Sequence, residues 1–186
     1  MYNPNPPPLR APDSPARPPI RSVRDALAAR LTPVLHGDAV FTPDGDSCIL
    51  SGDDLLVALC DELCPQRAVF LTDVPGVFDR PPSESGAVLL RRIYVSSDGE
   101  LTGLRTFKAS EAAHDVTGGI RAKVDAAATI ASRGVTVIVC EAGTRHAEAA
   151  LRGLDPEVCT TFVPVARGGG RGWSGVRVWL AALVGR

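Results

Sequence analysis

Apolar residues in this chain fall into two spacings, four-residue steps and short unbroken runs, and the two alternate along its length. Val23, Leu27 and Leu31 step by four and predict a short amphipathic helix that ends before Pro33. Val34 and Leu35 then open an expected strand, with His36 at its end as a hydrogen-bonded structural residue. Val40-Phe41 and Cys48-Ile49-Leu50 flank a turn rich in Asp and Gly, the pattern of a hairpin. Ser51-Gly52-Asp53-Asp54 caps a helix whose stripe is Leu55, Leu56, Leu59 and Leu63, and Pro65 closes it. The run at residues 68–71 is a buried strand, followed by a loop at 73–82. Val88-Leu89-Leu90 and Ile93 sit in a stretch whose pattern fixes no element. Beyond it, the periods predict a helix over 120–132, a strand over 136–139, a helix over 146–152 and a strand over 161–165. Residues 176–184 close the chain as a helix or a strand. Helices alternating with apolar strands imply an α/β fold whose sheet is mainly parallel and covered on both faces.

Composition narrows this picture. With 186 residues, 45% of them hydrophobic, the chain holds one domain with a sizeable core. Half of its 16 prolines lie within the first nineteen residues, among almost no large apolar side chains. That segment cannot bury a core, so residues 1–22 are expected to be a disordered proline-rich arm and residues 23–186 the folded domain. A formal net charge of −1 gives no electrostatic basis for a nucleic acid or an anionic membrane as partner. No run of eighteen apolar residues is present to form a membrane-spanning helix. Five cysteines without C-x-x-C spacing, and no signal-peptide pattern, point to reduced thiols in the cytosol. Cys60 and Cys64 share a helical face and are read as core packing, not as metal ligands. The glycine run at 168–172 has no strand-to-helix context and is expected to be a flexible tail.

Candidate chemistry gathers in two blocks. Leu71-Thr72-Asp73-Val74-Pro75-Gly76-Val77-Phe78 is an apolar strand breaking into a polar turn, which delivers side chains to the open edge of an α/β sheet. Asp115-Val116-Thr117-Gly118-Gly119-Ile120-Arg121-Ala122-Lys123 is a glycine pair opening a helix. Gly118 and Gly119 lack a Cβ, so a phosphate can approach their amides while the positive end of the helix dipole favours the anion. Lys123 lies one turn further along the same face, within reach of phosphate oxygens that the amides leave uncovered. That combination suits ATP. It is neither a Walker loop nor a dinucleotide fingerprint, because the lysine follows the glycines at a different spacing.

Together with Pro33-Val34-Leu35-His36-Gly37-Asp38 and Ile49-Leu50-Ser51-Gly52-Asp53-Asp54, these blocks resemble in order and spacing the isopentenyl phosphate kinases, a branch of the amino acid kinase superfamily. The resemblance covers residues 25–165. It implies a three-layer α/β/α sandwich that moves the γ-phosphoryl of ATP, with Mg²⁺, onto isopentenyl phosphate in isoprenoid biosynthesis. Carried over by position, Thr72, Asp73 and Phe78 would line the adenosine side of the ATP site. Gly118, Gly119 and Lys123 would hold its phosphates. Gly52 would present backbone to the acceptor phosphate, and Asp53 or Asp54 would orient cationic groups and Mg²⁺. The resemblance also implies a cytoplasmic enzyme and admits a homodimer.

Departures accompany the match. Pro75 stands where the family has an acidic residue, and Ile120 where it has methionine. The lysine-and-glycine-rich opening and the histidine segment that family members use for the transferring and acceptor phosphates do not occur, so the fold is expected to be N-terminally incomplete. Two other readings follow: a non-catalytic nucleotide-binding or interaction module, and a related kinase with another small phosphate or carboxylate acceptor.

Overall fold

The computed structural model describes residues 20–41, 45–102, 118–165 and 179–183. In chain order the elements are α1 (Ile20–Ala28), β1 (Asp38–Phe41), β2 (Ser47–Leu50), α2 (Gly52–Leu63), β3 (Arg67–Thr72), β4 (Arg92–Val95), β5 (Leu101–Thr102), α3 (Gly118–Ser132), β6 (Thr136–Glu141), α4 (Arg145–Leu151), β7 (Thr160–Pro164) and β8 (Trp179–Leu183). The bulk of the proline-rich arm, His114, residues 115–117 and the glycine run at 168–172 lie outside the described residues.

Strand alternation decides the layers. Ala68 and Phe70 of β3 point to one side, where they meet Leu56 and Cys60 of α2 and Val124, Ala127 and Ile130 of α3. Val69 points to the other, against Ile138, Cys140 and the α4 residues Ala147 and Ala150. The sheet is thus covered on both faces, giving the three-layer α/β/α arrangement. Its order is β5-β4-β7-β6-β3-β8. Three pairings are parallel, β8 with β3, β3 with β6 and β4 with β7, while β6/β7 and β4/β5 are antiparallel. The expected mainly parallel sheet is therefore mixed. α4 has only seven residues, and the irregular stretch after it brings the chain back to start β7 beside the end of β6, with Thr160 opposite Val139.

α2 and α3 each lead by a short connection into the strand they cover, β3 and β6. Both helices therefore run back along the sheet, and their N-termini gather at the carboxyl end of β3 and β6. α2 starts where it does because Ser51 completes a capping box. Its Oγ accepts from the Asp54 N–H at 3.1 Å, and the Asp54 carboxylate accepts from the Ser51 N–H at 3.2 Å. It stops at Cys64, which takes a left-handed conformation and donates its N–H to the Cys60 carbonyl.

Several expectations meet corrections. α1 begins at Ile20, inside the segment assigned to the arm. Val34 and Leu35 form no strand; residues 31–37 are irregular and Val34 is 91% exposed. Gly37 explains where the chain does become ordered, since a Cβ there would lie 2.5 Å from the Leu50 carbonyl oxygen and only a bare backbone can approach so closely. The hairpin then forms as anticipated, as an antiparallel pair separate from the main sheet. His36 is exposed rather than held at a buried strand end, and its Nδ1 donates to the Gly37 carbonyl. The stretch that the pattern left open supplies β4 and β5, and the chain closes with a strand, β8.

Cys48, Cys60, Cys140 and Cys159 are buried and Cys64 is exposed. Burial pushes the Cys60 thiol up to about 12 and the Cys140 thiol up to about 11. Brief iodoacetamide treatment of the native protein at neutral pH should therefore modify Cys64 first, as read by peptide mass mapping. Replacing Ser51 by Ala removes the α2 cap and should lower stability by about 1 kcal/mol, measured as a shift in the urea midpoint at unchanged slope.

Candidate functional site

Thr72 ends β3 and turns the chain. Its Oγ1 donates to the Val74 carbonyl at 2.7 Å and accepts from the Val74 N–H at 3.3 Å, a local side-chain turn that stops the strand. The Thr72 carbonyl accepts from the Ala142 N–H at 2.8 Å, which ties this exit to that of β6. Asp73 stands exposed at the turn, and Phe78 lies half-buried where the loop bridges to Leu89. Between them the loop is anchored on β7. The Val77 N–H donates to Thr160 Oγ1 at 2.8 Å, and Gly76 packs so closely that a Cβ would lie 2.5 Å from the same oxygen.

The two helix N-termini complete the site. Gly118 and Gly119 form the first turn of α3, which carries no acidic residue. Gly52 opens α2 with free space where a Cβ would stand, but the first turn there already holds Asp53 and Asp54. The helix dipole at α3 thus favours a further anion, whereas that at α2 is partly satisfied by carboxylates. The paired acids serve different ends. Asp54 is exposed and committed to the cap, taking a 2.7 Å hydrogen bond from Ser51 Oγ in addition to the backbone bond. Asp53 turns inward.

Asp53 and Lys123 meet across the two helices, with Nζ 3.4 Å from Oδ2 and both residues more than nine-tenths buried. The other carboxylate oxygen, Oδ1, is buried with no hydrogen-bond partner among the described residues. Burial raises the Asp53 carboxyl above its ordinary range, and this outweighs the lowering by Lys123; Asp54 adds a smaller upward push. A groove of about 660 Å³ runs outward from Asp53 between α2 and α3, lined by Asp54, Val57, Ala122, Asp125 and Ala126 among others. An Arg133 to Asp61 ion pair also lines it.

Among the sequence-derived candidates, the fold brings Gly52, Asp53 and Lys123 together and sets Thr72, Asp73 and Phe78 on the adjoining strand exit. Lys123 was expected to reach phosphate oxygens and Asp53 or Asp54 to orient cationic groups; that Lys123 is the cation beside Asp53, seventy residues earlier, had no local signal. Thr160, buried and holding the loop, was also missed, because a threonine opening an apolar strand looks like ordinary strand composition. No group of three or more metal-ligating side chains occurs among the described residues. The fit to Mg²⁺ therefore rests on the orphaned Asp53 oxygen as one carboxylate ligand, with phosphates and water supplying the rest, as this ion favours.

Two helix N-termini and a charged pair at the carboxyl edge of parallel strands, in a three-layer α/β/α domain, mark a protein organised around that edge. The amino acid kinase family profile matches residues 16–141, and the chain belongs to that family. It is 43% identical over 144 residues to isopentenyl phosphate kinase of Arabidopsis thaliana, a match covering 72% of this chain and 43% of the relative. It is 36% identical over 151 residues to glutamate 5-kinase of Frankia casuarinae, covering 77% of this chain and 38% of that one. Among solved structures, the product complex of isopentenyl phosphate kinase from T. acidophilum superposes with a TM-score of 0.56 at 25% identity, over 76% of this chain and 52% of that one. The chain thus spans about half the length of the proteins it matches, or less.

Removing one member of a buried pair strands the other. Lys123→Ala should cost about 3 kcal/mol at neutral pH, the usual scale for a broken buried ion pair. Asp53 would then be raised further, so the folded state takes up a proton more readily than the unfolded one. The deficit should shrink as pH falls and Asp53 protonates, and a deficit constant from neutral pH to below the ordinary 3.8 would contradict this account. Urea unfolding of both proteins across that range measures it.

Proposed function

We propose that this chain carries the nucleotide half of an ATP-dependent kinase acting on isopentenyl phosphate. The observation that carries the reading is the buried Asp53–Lys123 pair where the α2 and α3 N-termini meet, beside the exit of β3. The Gly118 and Gly119 amides and the α3 dipole would receive the phosphates of ATP. Lys123 would offset charge as the γ-phosphoryl moves, held in place by Asp53, and Asp73 and Phe78 would flank the adenosine. Gly52 would offer backbone to the acceptor phosphate. Through its Oδ1, which has no partner among the described residues, Asp53 would offer a carboxylate to Mg²⁺, an ion that when bound neutralises charge on phosphate oxygens. Phosphoryl transfer requires in-line positioning and charge neutralisation more than covalent chemistry, so a site of amides, a lysine and a metal suffices.

Relatedness to proteins named isopentenyl phosphate kinase supports this acceptor. The departures are compatible with it: Ile120 packs against the core as a methionine of similar volume would, and Pro75 stiffens a loop already pinned by its neighbours. No described helix is long and apolar enough to cross a membrane. The reading includes a cytoplasmic enzyme and admits a homodimer. A carboxylate acceptor is the second reading, favoured by the match to glutamate 5-kinase. A module that binds nucleotide without turnover is the third, favoured by the carboxylate that Lys123 already faces.

Incubating the purified chain with ATP and Mg²⁺ separates the three. ADP release with isopentenyl phosphate but not glutamate is the expected outcome, and Lys123→Ala, corrected for its folded fraction, should lower the rate by about 10²- to 10³-fold. Release with glutamate alone would move the assignment to the second reading. Nucleotide binding without turnover of either acceptor would leave the third.

A further inference from the structure

Thr160 is a polar side chain with no exposure at the first position of β7, far in sequence from the site blocks. Its hydroxyl works in both directions on one residue. It accepts from the Val77 N–H at 2.8 Å and donates to the Val77 carbonyl at 3.4 Å, the latter a longer contact. Gly76 lies directly on it, with a notional Cβ 2.5 Å from Oγ1 and 2.9 Å from the Thr160 amide nitrogen. The loop leaves β3 through the Thr72 turn and is fixed again at Val77, whose N–H this contact holds while its carbonyl also accepts from the Leu90 N–H at 2.8 Å, so Asp73 and Phe78 each lie one residue from an anchored position. A buried backbone N–H satisfied by a single side chain makes that side chain hard to replace, because its loss leaves the donor dry.

We infer that Thr160 is a positioning residue for nucleotide recognition: by holding Gly76 and Val77 against β7, it sets Asp73 and Phe78 on the adenosine side of the site. This role rests on the nucleotide reading of the site. β7 runs antiparallel to β6 and starts beside its end, so the anchor comes from the same sheet edge that presents the loop. The contact reaches the loop and neither α2 nor Lys123, so it separates nucleotide affinity from handling of the acceptor.

Thr160→Val keeps the side chain's shape and removes the hydroxyl, and Thr160→Ser restores the hydroxyl. ATP affinity, measured by calorimetry, should fall roughly tenfold in the valine variant and return in the serine variant. The rate at saturating ATP and the acceptor KM should stay within about twofold of the parent. Amide exchange at Val77, followed by NMR without nucleotide, should accelerate in Thr160→Val and recover in Thr160→Ser. Gly76→Ala lifts the loop from the other side and should reproduce the loss of ATP affinity. Unchanged ATP affinity in Thr160→Val, or an equal loss toward ATP and acceptor, would overturn the inference. If the parent protein binds no adenine nucleotide, the reading of the site falls and this role with it, while the Val77 exchange still reports whether the anchor exists.

Discussion

The buried pair of Asp53 and Lys123 is the constraint on which the site depends. Two charges taken out of water cost more than their mutual attraction returns unless their remaining hydrogen-bonding capacity is met. Here one carboxylate oxygen has no partner among the described residues, and burial wins over the neighbouring ammonium in setting the Asp53 carboxyl. Such a pair is a poor source of stability. Its effect is positional: it ties the first turn of α2 to the second turn of α3 and so holds two helix N-termini at one sheet edge.

A helix cap and two strand pairings bring those ends together. The Ser51 capping box decides where α2 begins, which places Asp53 one residue inside the helix. The parallel pairing of β3 with β6 puts the exits of both strands side by side, and the Thr72 to Ala142 hydrogen bond continues that pairing past the last strand residues. The antiparallel β7 adds an anchor for the β3 loop that a purely parallel sheet could not have supplied at its starting residue. Packing on both faces makes this edge rigid, because Phe70 and Val69 are each fully buried on opposite sides of the same strand.

Helices, central strands and the hairpin were legible in the sequence because each rests on a local cause. The period of Leu55, Leu56, Leu59 and Leu63, the cap before it and the unbroken run at 68–71 act within a few residues of one another, so they survive folding unchanged. Val34 and Leu35 misled because two apolar residues are too few to show whether a partner strand exists. The antiparallel placement of β7 was invisible for a related reason, since strand direction depends on the length of the return path and not on the strand's own residues.

The glycine pair, the lysine one turn on and the acids at the head of α2 were determined by the sequence alone, since residue type and spacing settle where bare amides, an ammonium and carboxylates stand along each helix. Only the tertiary structure decided which of them act together. It divided Asp53 from Asp54, giving one to Lys123 and the other to a helix cap, and it recruited Thr160 to the loop after β3. The Asp53 and Thr160 assignments turn on contacts between segments seventy or more residues apart, and no local pattern encodes a distance across the fold.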